Sequence, residues 1–148
     1  MKFSPVALFV YNRLTHTKKV INSLKKNKET RNTEIFIFSD GPRSNADKNE
    51  IIKLRKFILS VTFFKKIYLI TRKKNIGLSK NIISGLDYVL KKKKTVIVLE
   101  DDLVVSPNFL KFMNTYLEQF EKKIEVCSIC AYNYPIDINE KIYFLRGS

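Results

Sequence analysis

The chain has 148 residues, 45% of them hydrophobic and 28% charged, a balance that fits a folded protein and excludes a disordered one. Twenty-eight Lys and Arg against fourteen Asp and Glu leave a formal charge of +14, which suits an anionic partner: nucleotide phosphates, nucleic acid or an anionic membrane surface. Short solvated lysine runs, such as residues 91–94, produce the same total without any partner, and no apolar run approaches bilayer length.

Strand and helix patterns alternate from the first residues. "VALFVY" (residues 6–11) is a continuous apolar run, as expected of a strand covered on both faces. The apolar run ends at Tyr11-Asn12-Arg13 without a small-residue cleavage site, so it does not read as a signal peptide. "NRLTHTKKVINSLKKN" follows as a helix with Val20, Ile21 and Leu24 on one face and Thr15 or Thr17 as its cap. "EIFIFSD" (34–40) is a second buried strand closed by the turn "DGP". Ser44 or Asn45 opens a helix whose apolar face is Ile51, Ile52, Leu54 and Ile58.

"KKIYLITR" (65–72) is a third strand, and "NIGLSKNIISGLDYVL" (75–90) a helix with Leu78, Ile82, Ile83, Leu86 and Val89 on one side. "TVIVLEDD" (95–102) is the fourth strand, and Pro107 at a first helical turn leads into "NFLKFMNTYLEQF". "EVCSICAY" (125–132) reads as a fifth strand, and "KIYFLR" (141–146) as a sixth. In that strand Cys127 and Cys130 face opposite sides, and no second Cys pair exists, so two reduced core thiols are expected rather than a metal or redox site. The alternation predicts an α/β fold, a mostly parallel central sheet with helices on both faces, in one domain.

Ligands of such sheets sit beyond the C-terminal strand ends, and the polar clusters fall there. Asn12-Arg13 follows the first strand, Asp40-Gly41 the second, residues 72–75 the third, and Glu100-Asp101-Asp102 the fourth. Three carboxylates at a strand end are hard oxygen ligands suited to Mg²⁺ or Mn²⁺. The competing reading is that they are solvated or cap the helix that follows. Arg13 stands where a guanidinium could pair with a diphosphate, at a helix start that the dipole slightly disfavours for a cation. Asp40 could accept a hydrogen bond from a base N–H, or simply begin a turn. "RKKNIGLSKN" puts Gly77 at a loop-to-helix junction with Ser79, Lys80 and Asn81 in the first turn, a place that can hold an anion. The chain has neither a Walker A loop nor a G-x-G-x-x-G, which disfavours a dinucleotide-type domain.

"PVALFVYNRLTHTKKVINSL", "IFIFSDGPR", "RKKNIGLSKNI", "VIVLEDDLVVSPNFLKFMNTYL" and "CSICAYN" together resemble the GT-A fold glycosyltransferases, a Rossmann-like nucleotide-sugar-binding fold. The likeness extends over nearly the whole chain, toward the N-acetylglucosaminyltransferase I type and its bacterial, family 2-like relatives. The E-D-D is its most specific element, as that family's form of the D-x-D motif. The resemblance implies that Asp102 holds the divalent metal and that Glu100 and Asp101 contact the donor's sugar and ribose. It implies Arg13 at the diphosphate, Asp40 at the uracil edge, and the backbone of Val10 and Tyr11 lining the base pocket. Asn75 and Lys80 belong to a donor-side N-x-G loop, which departs from the His-containing segment of the eukaryotic members.

The activity so implied is transfer from a UDP-sugar to a glycan or lipid-linked acceptor, with Mn²⁺ or Mg²⁺. The catalytic base of inverting members lies beyond the metal motif, and no acid after the Pro107 helix matches its context; the expectation is a donor-binding half cut before the acceptor site. Bacterial relatives build surface polysaccharides from the cytosolic side, which implies a cytoplasmic chain with peripheral contact to an anionic leaflet. A basic nucleic-acid-binding α/β domain is the alternative, disfavoured because an exposed acid triplet repels phosphates. A receiver-like phosphoacceptor fails because Asn12-Arg13 occupies the place of its acid pair.

Overall fold

The structure, a computed structural model, describes residues 3–132. Four parallel strands form its sheet: β1 (Val6–Val10), β2 (Glu34–Ser39), β3 (Lys66–Thr71) and β4 (Ile97–Glu100), in the order β3-β2-β1-β4. Four helices accompany them: α1 (Leu14–Lys25), α2 (Asn45–Leu59), α3 (Leu78–Leu90) and α4 (Phe109–Phe120), with a 3₁₀ turn at Lys28–Asn32. The chain fills β1, β2 and β3 in one direction and then returns to place β4 on the other side of β1. The order therefore reverses between β1 and β4, which is where such sheets open a crevice.

Alternate residues of each strand serve opposite faces, because the side-chain period of a strand is two. Val6, Leu8, Ile35, Ile37, Ile97 and Leu99 meet α1, α2 and α4 on one face. Ala7, Phe9, Phe36 and Phe38 meet α3 on the other, with Phe9 and Phe38 stacked at 5.1 Å between centroids. Most of these side chains are fully buried, and each of the larger ones contributes roughly 1.5–3 kcal/mol by leaving water. The expected α/β architecture with helices on both faces is what the chain adopts.

α3 approaches closely because Gly85 faces the rings: a Cβ there would stand 2.6 Å from Phe9 Cε1. The buried stripe of α3 is consequently Asn81, Gly85 and Val89, flanked by half-buried Ile82 and Leu86. Leu78 and Ile83, expected on the apolar side, are exposed, as is Ile52 of α2. α3 packs over β1 and β2 and leaves Val98 of the edge strand β4 exposed.

Three local expectations are corrected. Residues 125–132 form no strand, and both Cys127 and Cys130 are exposed instead of lying in the core. An apolar, β-branched stretch becomes a strand only where a sheet edge receives it, and here β4 receives none among the described residues. Neither threonine caps α1; Arg13 is the N-cap residue, and the Thr17 hydroxyl donates back to the Arg13 carbonyl at 3.0 Å. Pro107 precedes α4 by a turn, and buried Asn27 anchors that helix by accepting from the Leu110 N–H at 2.9 Å. The sixth strand expected at 141–146 lies outside the described residues.

Candidate functional site

A cavity of about 240 Å³ opens where the C-terminal ends of β1, β2 and β4 meet the start of α3. Its walls include Val10, Tyr11, Arg13, Asp40, Asn75, Glu100 and Asp101, seven of the residues expected from the sequence. Parallel strands carry their C-terminal residues to one edge, so clusters far apart in sequence converge without any local signal for the meeting. Lys80 is exposed on the first turn of α3 and does not line the cavity. Asp102 joins the mouth through Arg13 rather than through the wall.

Arg13 organises the β1–β4 side. One guanidinium nitrogen donates to the buried Asp101 carboxylate, and the other to Asp102 Oδ2 at 3.3 Å. Adjacent like charges repel, so a neighbouring cation is what lets Asp101 and Asp102 stand together. The hydrogen bond to Asp101 in turn binds the Arg13 proton more firmly than usual. Glu100 forms a half-buried part of the wall.

The β2–α3 side is a backbone clamp. Asp40, almost wholly buried, accepts from the N–H of Gly41 at 2.7 Å, of Ile76 at 3.0 Å and of Gly77 at 3.1 Å. A carboxylate has about four lone-pair sites, so these bonds occupy most of its capacity. Gly77 can stand there because its φ of 82° is open to glycine and costly for other residues. Asn75 closes the loop by donating to the Gly41 carbonyl at 3.1 Å. The Val10 carbonyl is similarly engaged, accepting from the Asp40 N–H at 3.1 Å.

Four further residues matter; the sequence placed Asn81 in a helix's first turn that can hold an anion but did not mark the other three. Arg55, reaching in from α2, donates to the carbonyls of Ser39, Asp40 and Arg72 and so ties the ends of β2 and β3 together. Burial pushes its guanidinium down from the ordinary value, though it keeps these partners. Asp47 accepts from the Tyr11 hydroxyl at 2.7 Å and from Asn12 Nδ2 at 2.9 Å, and closes a capping box with Ser44. The bond from Tyr11 is the main cause holding Asp47 below the usual carboxylate range, while burial and then Asp47 push the Tyr11 phenol up. Arg43 lies 5.3 Å from the Tyr11 ring centroid and belongs to the cavity wall. Buried Asn81 donates to the Phe38 carbonyl at 3.3 Å, joining α3 to β2. Of Arg55, Asp47 and Arg43, only Asp47 had a sequence signal, its capping-box spacing from Ser44. Arg72, by contrast, turns from the cavity to donate to Ser84 Oγ at 2.9 Å.

The acids could hold a metal only sparsely. Among the described residues no group of three or more His, Cys, Asp or Glu side chains converges as an ion's cage. Asp102 offers a half-exposed carboxylate at the mouth, the hard oxygen donor that Mg²⁺ and Mn²⁺ prefer. Such a site fits an ion that takes one or two protein oxygens and completes its shell with phosphate and water.

Residues 6–146 match the profile of "Glycosyl transferase family 2". The chain belongs to glycosyl transferase family 2. Two solved structures have a similar backbone: the crystal structure of S. aureus TarS, with a TM-score of 0.59, and that of S. aureus TarS 1–349, with 0.56. Each is 18% identical over 82% of this chain, a level that carries the fold alone. The chain spans 20% of the first and 33% of the second. No curated protein gives a match. Within this family 2 domain no helix among the described residues is long and apolar enough to cross a membrane.

Proposed function

We propose that this family 2 domain binds a UDP-sugar in the crevice between β1 and β4 and serves as the donor side of a metal-dependent glycosyltransferase. The observation that carries the reading is the Arg13 guanidinium held against Asp101 and Asp102 at the topological switch point. A cation and a pair of carboxylates side by side suit a ligand that itself brings a diphosphate and a divalent ion.

Asp102 would hold the ion, which when bound supplies Lewis-acid neutralisation of the leaving diphosphate. Arg13 clamps the diphosphate, fixed in place beforehand by Asp101. Glu100 and Asp101, in the wall, face the sugar and ribose. Tyr11, stiffened by Asp47 and flanked by Arg43, forms one side of the base pocket, with Val10 and Asn75 in the same cavity wall. Asp40 contributes by holding the loop at Ile76 and Gly77 in shape around the base, since its carboxylate is engaged there. Lys80 is given no contact. The sugar is of hexosyl or N-acetylhexosaminyl type, and the acceptor is a glycan or lipid-linked glycan at the cytoplasmic side of an anionic membrane.

Calorimetric titration with UDP, with and without Mn²⁺, on the native chain and on Asp102→Ala tests the site. Binding should depend on the metal in the native chain and disappear in the variant. Equal affinity in all four titrations would overturn the assignment.

A further inference from the structure

In an all-parallel sheet every crossover returns the chain to the edge where strands begin, so this chain's helix-to-strand connections share the side opposite the candidate site. Those connections hold a large part of the positive charge: the stretch 25–31 from the last residue of α1 onward, Lys65 and Lys66 at β3, and four lysines at 91–94 before β4. Contacts tie them into one face. The Lys65 N–H donates to the Thr33 carbonyl at 3.1 Å, and Lys93 Nζ lies 2.5 Å from the Glu34 carboxylate at the start of β2. Glu29 is the one further acid within these three stretches.

The first stretch surrounds a cavity of about 380 Å³, with Lys25, Lys26, Lys28, Arg31 and Phe63 in its wall. Among the described residues none of these four cations forms an ion pair. Holding exposed like charges together in this way costs free energy unless an anion offsets it.

We propose that this strand-start edge is a docking surface for an anionic lipid bilayer, with phospholipid phosphates entering the lysine-rich cavity. The charge is spread in three loops across the whole width of the sheet, a broad face rather than the groove that tracks a nucleic acid strand. The ring in the cavity, Phe63, already has Lys25 Nζ 5.3 Å from its centroid, so it is no free platform for a base. The cations are mostly lysines, whose flexible point charges suit headgroups in no fixed array better than planar forks do. Docked this way, the Arg13 mouth stands roughly 20 Å from the leaflet, the length of a five- or six-residue strand with its loops, so a lipid-linked acceptor reaches it only through a glycan long enough to span that distance. The surface stands whether or not the mouth transfers sugar.

Sedimentation with vesicles tests it: neutral phosphatidylcholine against the same lipid with 30% phosphatidylglycerol, at low and at physiological salt. One variant carries Lys25→Gln, Lys26→Gln, Lys28→Gln and Arg31→Gln. A second removes the same charge from α1 and α2 by Lys19→Gln, Lys48→Gln, Lys53→Gln and Lys56→Gln. The native chain should sediment with anionic vesicles only, and less so as salt rises. The edge variant should lose about tenfold or more in partitioning and the second variant about threefold or less. All these side chains are exposed, and thermal melts of the variants verify folding. Equal losses in the two variants would mean bulk charge alone and overturn the proposal. So would tighter binding of single-stranded DNA than of vesicles, lost with the same edge substitutions.

Discussion

Asp40 shows how one carboxylate can carry a shape rather than a contact. Its bonds to Gly41, Ile76 and Gly77 are charge-assisted and buried, and they fix the loop that forms one wall of the cavity. Asp40→Asn keeps one acceptor oxygen and turns an NH₂ group toward backbone N–H donors. The expected cost is about 1.5–3 kcal/mol, measured as a shift of the urea midpoint, with a weaker UDP affinity as its consequence. A variant of native stability that had lost UDP affinity would instead identify Asp40 as a direct reader of the base. Arg13 is the opposite case: exposed by nearly half, it contributes charge placement far more than stability.

At the scale of elements, α3 decides how tightly the cavity floor is built. The helix lies on Phe9 and Phe38 through Gly85, where a Cβ would meet ring atoms at 2.6, 2.9 and 3.2 Å. Gly85→Ala gains about 1 kcal/mol in helix propensity but overfills a stacked aromatic layer, which typically costs about 1–3 kcal/mol. A net loss of stability is expected on chemical denaturation, with UDP affinity falling as α3 lifts from β1. A stabilised variant would mean that the Phe9 ring moves aside at little cost. α1 and α4 are less exacting, because most of their side chains in the core, Val20, Ile21, Leu24, Leu110 and Met113, are flexible or aliphatic and can repack.

At the scale of the molecule, cations outnumber acids two to one. Four ion pairs link described residues, two of them made by Arg13, and much of the remaining charge sits on one edge. Net repulsion of this kind disfavours the compact state and is screened by salt. The urea midpoint should therefore rise as NaCl goes from 10 to 150 mM; a fall would show that surface ion pairs outweigh repulsion.

Continuous apolar runs of strand length and apolar residues at helical spacing made the strand–helix alternation legible in the sequence by itself, because both are local patterns. The sequence likewise put Arg13, Asp40 and the three acids at strand ends, and parallel topology then required them to share an edge. Tertiary structure alone decided which partner each side chain takes. Nothing local says that Arg13 meets Asp101 from the far side of a switch point, that Arg55 crosses from α2 to three strand-end carbonyls, or that Asp40 is consumed by a loop. The same holds for residues 125–132, whose strand-like composition yields no strand, since a strand needs a sheet edge to receive it and that is a property of the fold. Local periodicity is set by bonds within a few residues, whereas partners are set by where the whole chain places distant ones.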